Sequence, residues 1–157
     1  IEAELEDYPW TRNVPLLYYV LEEFEGNYAA TPIDITHEHI MPKTANPATT
    51  GGKSWIDYIK RTRGCNDDDA IAFHKEWRNK LGNLTLLSKK PNTEAQQKLI
   101  VDKIPLYNKD VFDITKKIDT VWTQTSKEWT EKEISNRHDA LKKELLDILD
   151  IEKLKIQ

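Results

Sequence analysis

Apolar and polar positions recur along this chain with two different periods, and the switch between them outlines the elements. From Val14 to Glu25, Leu16, Leu17, Tyr19, Val20, Leu21 and Phe24 form the broad face of an amphipathic helix. Pro15 suits its first turn, and Gly26-Asn27 ends it. β-Branched and apolar residues then dominate Ile33 to Met41, which predicts a strand stopped by Pro42. In a flat strand His37 and His39 share one face and Glu38 takes the other. A bulge near the strand end would bring Glu38 and His39 together. Residues 43–52, rich in Pro, Thr, Asn and Gly, predict a loop. A short helix is expected over 54–63, ended by Gly64. A second is expected over 68–80, capped by Asn66 or Asp67, with Ile71, Phe73 or His74, and Trp77 inward.

The turn Gly82-Asn83 leads into an expected strand over 83–88. The basic turn Lys89-Lys90-Pro91 and a polar helix opening on Asn92 follow. The 43 residues between His39 and Asn83 then form a helical insertion, because a structureless loop of that length is rare. Within 104–128, Phe112, Ile114, Ile118, Val121 and Trp122 predict one helix. The last helix opens on a capping box, Thr130-x-x-Glu133, and carries Ile134, His138, Leu141, Leu145 and Ile148 inward to about residue 150. The fold class is α+β and mainly helical. Two short antiparallel strands and one helix are enclosed by N- and C-terminal helices.

At 157 residues the chain suits one domain, with a core over 13–150 and an acidic linker at 1–12. Beginning at Ile1 and not at Met, it reads as a fragment of a longer protein. No apolar run reaches the roughly 18 residues a membrane span needs, and no signal peptide is evident. A single cysteine, Cys65, excludes an internal disulfide and suits a reducing, cytoplasmic compartment. The net charge is −4, but its distribution is uneven. Residues 1–36 hold one Arg against eight acids, residues 37–109 thirteen Lys and Arg against eight, and residues 110–157 nine against eleven. The basic middle segment carries the polar motifs and is compatible with a DNA contact.

Those motifs are His37-Glu38-His39-Ile40-Met41-Pro42, Leu81-Gly82-Asn83-Leu84-Thr85-Leu86-Leu87, and Asn92, nine residues after Asn83. Phosphodiester hydrolysis needs a base for water and charge stabilisation at the phosphate and the leaving oxygen. A histidine suits the first task and one divalent cation the others. Mg²⁺ takes oxygen ligands and keeps several waters, so a carboxylate such as Glu38 and an amide such as Asn92 are a sufficient protein share. Asn83 is placed to bond His39 or its neighbouring backbone.

Glu-His-Ile-Met-Pro followed by Leu-Gly-Asn-Leu-Thr-Leu-Leu and a further Asn resembles the HNH (His-Me finger) nucleases. More narrowly, it resembles the HxxP-motif C-terminal domain of GmrSD-type modification-dependent restriction enzymes, a group that includes the nickase domain of SspE-type phage-defence proteins. Lys103, Tyr107, Trp129, Ile134 and Arg137 extend the likeness over about residues 12–150. The resemblance implies a ββα-metal finger and a metal-dependent DNA endonuclease or nickase in an anti-phage restriction system. His39 is then the general base, Asn83 orients it, and Glu38 and Asn92 hold one cation, Mg²⁺ with Mn²⁺ as a substitute. His37, Lys43, Lys89, Lys90, Lys103 and Arg137 are candidate DNA contacts or supports. An N-terminal sensor or NTPase domain would recognise the DNA, modified or not. The family's second Asn after the third motif is replaced here by Ala95-Gln96. Besides a purely helical interaction domain, which would bind neither metal nor DNA, two rival readings remain at this level. One is a non-catalytic DNA- or partner-binding module that keeps the finger as a scaffold. The other is a zinc site built from His37, His39, Cys65 and His74, whose ligand types suit zinc but whose spacing fits no known pattern.

Overall fold

The computed structural model describes residues 10–26, 34–46 and 48–149. Most of the expected linker, the strand start at Ile33, Asn27 and the side chain of Ile148 lie outside the described residues. Trp10–Arg12 form a 3₁₀ turn that leads into α1, Val14–Glu25, whose Asn13 side chain accepts from Leu16 N–H. Strand β1, Ile35–His39, pairs antiparallel with β2, Leu84–Ser88, in one two-stranded sheet. Between them stand α2, Thr50–Arg63, and α3, Asp67–Trp77, so the long intervening segment is indeed helical. Gly64 ends α2 in the left-handed region at φ 66°, and the Asn66 side chain caps α3. The expected loop is shorter than the sequence suggests, because α2 starts already at Thr50, capped by the hydroxyl of Thr49.

Two further boundaries differ from expectation. The helix after β2, α4, spans Lys89–Ala95, so Asn92 lies within it and does not open it. Ser88 at the strand end serves as its N-cap residue, and Pro91 falls in the first turn, where its missing N–H is not needed. The helix expected through Phe112 to Trp122 is present, but it changes character midway. Helix α5 covers Ile100–Tyr107, and α6, Asp113–Lys117, continues as a π-helical turn over Ile118–Thr123. Val121, expected inward, is accordingly about half exposed. Helix α7, Glu131–Leu149, closes the described chain. At its start, the backbone N–H and the hydroxyl of Thr130 both donate to Glu133.

The sheet divides the interior. Leu84 and Leu86 join Leu17, Leu21, Phe112, Leu141 and Leu145 in a core against α1 and α7. Leu87 points to the other face, with Trp55, Ile59, Phe73, Tyr107 and Ile134. Gly82, in a 3₁₀ turn over Leu81–Asn83, lets α7 approach closely, because a Cβ there would collide with the Ile134 carbonyl and with His138 N. Arg137 uses this approach: its Nη1 donates to the Gly82 carbonyl at 2.8 Å and the Leu84 carbonyl at 2.7 Å.

Candidate active site

The register of β1 on β2 is unbroken, from Ile35 opposite Ser88 to His39 opposite Leu84, so the strand carries no bulge. His37 and His39 stand on one face with ring centroids 5.7 Å apart, and Tyr18 of α1 packs edge-on against His37. Glu38 points to the opposite face, towards α5. The backbone groups of His37 and His39 lie along the strand's free edge, and three side chains satisfy them. The Tyr18 hydroxyl accepts from His37 N–H at 3.0 Å, Asn92 Nδ2 donates to His37 O at 3.2 Å, and Lys103 Nζ donates to His39 O at 2.9 Å. A cavity of about 460 Å³ lies on this edge, lined by His37, Glu38, His39, Lys43, Asn92 and Gln96 among others. Residues of both strand faces therefore line one space without a bulge.

Glu38 is 4% exposed and held from behind. Lys103 Nζ donates to its Oε1 at 2.5 Å, and the Tyr107 hydroxyl donates to the same oxygen at 3.0 Å. Lys103 and Tyr107 sit four residues apart on the buried face of α5, so one helix delivers both. Lys103 Nζ also reaches Ile40 O at 3.0 Å. Three acceptors around one nitrogen call for three N–H bonds, which only the ammonium form has. Burial pushes the Glu38 carboxyl up and the Lys103 amine down, each against the attraction of the other. The three-acceptor geometry argues that the pair is nonetheless ionised.

Burial lowers His39 to about 4, helped by His37, Lys103 and Lys43 and opposed by its hydrogen bond to the Asn79 side-chain oxygen. His37 is also lowered, by burial and by Lys43, and its Nδ1 is buried without a hydrogen-bond partner. Both imidazoles are thus neutral proton acceptors near pH 7. Asn92 donates through Nδ2 to Thr36 Oγ1 at 2.6 Å as well as to His37 O, which turns its Oδ1 away from the strand. That oxygen has no hydrogen bond among the described residues.

Asn83 acts on the backbone and not on the His39 ring. It pairs with Met41 in both directions at 2.8 Å, donates to the Arg78 carbonyl at 2.8 Å, and accepts from Trp129 Nε1 at 2.9 Å. Its own carbonyl accepts from Ile40 N–H. The residue on the ring is Asn79, whose Oδ1 lies 3.2 Å from His39 Nε2. Asn79 is the functional candidate that the sequence reading missed. It follows a helix end like any turn residue, and no local pattern marks it. Lys103 did carry a signal, since it occupies an apolar position in the series Ile100, Lys103, Ile104, Tyr107.

Of the candidate DNA contacts, Lys103 and Arg137 are buried and bond the strand and turn backbone, so they are supports and cannot reach a phosphate. Lys43 is exposed and lines the cavity. Lys89 and Lys90 are exposed at the start of α4, with Lys89 3.6 Å from Asp34. The alternative zinc set is not assembled: among the described residues no group of three or more His, Cys, Asp or Glu is arranged to hold a metal. His74 is engaged instead with the Pro42 carbonyl, at 2.7 Å.

A small mixed fold thus presents two imidazoles, a carboxylate and an amide oxygen around one cavity. The family model described as GmrSD restriction endonucleases, C-terminal domain, matches residues 2–144, and the chain belongs to that family. No individual curated protein and no solved structure matches the chain. Among the described residues, no helix is long and apolar enough to cross a membrane.

Proposed function

We propose that this chain is a divalent-metal-dependent DNA endonuclease or nickase domain, with β1, β2 and α4 serving as a ββα-metal finger. The observation that carries this is the meeting of His39, Glu38 and Asn92 at one cavity, with His39 neutral. The donor set fits a hard cation. Glu38 offers a carboxylate and Asn92 an amide oxygen free of protein partners, and Mg²⁺ is content with few protein ligands because it retains water. When bound there, Mg²⁺ or Mn²⁺ would supply charge stabilisation at the phosphate and at the leaving 3′ oxygen. His39 takes the proton from the attacking water. Lys103 and Tyr107 hold Glu38 at the cavity wall, and Asn83 fixes the chain where β1 ends. Lys43 at the rim is placed to meet a phosphate.

One such site cuts one strand, so nicking is the expected outcome of a single encounter. In this reading, selection of modified DNA and any nucleotide hydrolysis belong to a separate N-terminal sensor, and the whole serves an anti-phage restriction system. A second reading, a binding module without catalysis, draws support from Lys103. Its ammonium already neutralises Glu38, which weakens the attraction for a cation.

Incubation with supercoiled plasmid separates the two. Open-circle product should form with Mg²⁺ or Mn²⁺ and vanish with EDTA. His39→Ala should slow it by at least about 100-fold. Asn92→Ala should raise the Mg²⁺ concentration needed for half-maximal rate by about 10-fold or more. Cleavage by His39→Ala at the wild-type rate removes the proposed base, and metal-independent DNA binding without any product supports the binding module.

A further inference from the structure

The helical insertion between the strands ends in the turn that holds Asn79, and this end of the insertion is fastened to the segment just beyond His39 at two points and to Asn83 at a third. His74 Nε2 meets the Pro42 carbonyl at 2.7 Å, Arg78 Nη1 donates to the Lys43 carbonyl at 2.8 Å, and the Arg78 carbonyl accepts from Asn83 Nδ2 at 2.8 Å. Asn83 in turn clamps Met41. Asn79 is thereby held against His39 by backbone that cannot drift independently of it. Its Oδ1, 3.2 Å from Nε2, is the one hydrogen-bond partner of the His39 ring among the described residues. The ring also packs on His37, which restricts rotation about its side-chain bonds.

An amide oxygen only accepts, so the nitrogen facing it must carry the proton. In a neutral imidazole the other nitrogen then holds the lone pair. We propose that Asn79 is a positioning residue that fixes His39 in the Nε2–H tautomer and leaves Nδ1 as the basic nitrogen at the cavity. The insertion thus completes the base. A neutral amide does this without placing a second carboxylate beside a site meant for phosphate, which a charged acceptor would repel. The inference rests on the nuclease reading for its consequence in catalysis, but the tautomer itself is independent of that reading.

Long-range ¹H–¹⁵N spectra of the histidine rings in the full 157-residue chain at neutral pH test it, beside plasmid nicking. The wild type should show His39 with a protonated Nε2 whose proton exchanges slowly with water. In Asn79→Ala that proton should exchange rapidly, and kcat should fall by about 10- to 100-fold with KM little changed, as for loss of other orienting partners. Asn79→Asp, whose carboxylate also accepts, should restore the slowly exchanging Nε2–H. A wild-type His39 protonated on Nδ1 overturns the proposal. So does an Asn79→Ala chain that keeps the protected Nε2–H and the wild-type kcat. If His39→Ala abolishes nicking while Asn79→Ala leaves it intact, the nuclease reading stands and this inference fails. If the wild type does not nick, the spectra still decide the tautomer.

Discussion

In the proposed reaction His39 serves as a base only if it stays unprotonated, and its burial favours this at a cost in stability at low pH. The folded ring titrates at about 4, below the ordinary value of 6.5. Between those values the unfolded chain binds the proton and the folded chain does not. Stability contributed by the neutral ring is therefore complete above about pH 6.5 and is lost as pH falls towards 4. His74, lowered by burial, acts in the same direction. Denaturant midpoints measured from pH 7.5 to 4.5 should fall, and His39→Gln should flatten that fall. An identical fall in His39→Gln would place the acid sensitivity elsewhere. The pair behind Glu38 allows a second prediction at this scale. Lys103→Met leaves a buried carboxylate without its partner and should destabilise by about 3–5 kcal/mol. Glu38→Met combined with Lys103→Met should cost less than Lys103→Met alone, because the uncompensated charge is gone. A double variant as unstable as the sum of the singles would show that packing and not the ion pair matters there.

Between elements, Asn83 is the junction. One side chain ties the end of β1, the exit of the insertion and the approach to α7, through Met41, Arg78 and Trp129. Asn83→Ala strands these buried groups, each at about 1–3 kcal/mol, so a loss of about 3 kcal/mol or more in denaturation is expected. A loss below about 1 kcal/mol would mean that water replaces the amide. The importance of Asn83 was legible in the sequence, since a Gly-Asn turn before an apolar strand limits where that amide can go. The ends of α1, a cap at Asn66 or Asp67 and the burial of His138 were legible for similar local reasons. Other features depend on contacts far apart in the chain. Asn92 reads as an N-cap residue, yet Ser88 ends the strand in an extended conformation from which α4 starts directly. The buried position of Lys103 is set by Glu38, 65 residues away, and Asn79 meets His39 across 40. The period of α6 breaks at a π-helical turn that alternation of side chains does not announce.

At the scale of the molecule, the sheet is too small to stand alone, and the two cores on its faces hold the site in place. The helix α1 closes one side through Tyr18 and α5 the other through Lys103, so the cavity edge of β1 finds hydrogen-bond partners without a third strand. Charge is the complementary constraint. The whole chain carries −4; Lys43 is exposed at the cavity, and Lys89 and Lys90 are exposed at the start of α4, where Lys89 already faces Asp34. If these three supply the phosphate contacts, log K for duplex DNA should fall with log salt at a slope near −3, about −0.9 for each phosphate neutralised. Fluorescence anisotropy between 50 and 200 mM salt, about the range over which such slopes are read, gives the number directly. Lys43→Ala should reduce the slope by about one. A slope of about −6 or steeper would require a second basic surface, for which the exposed Lys53 and Lys75 on the insertion are the cations to replace first, ahead of Arg61 and Arg63, which already pair with Glu128 and Glu131. A shallow slope instead means that the chain cannot hold DNA for long unaided. Cleavage would then depend on a separate element that brings the substrate to it, as the proposed N-terminal sensor does.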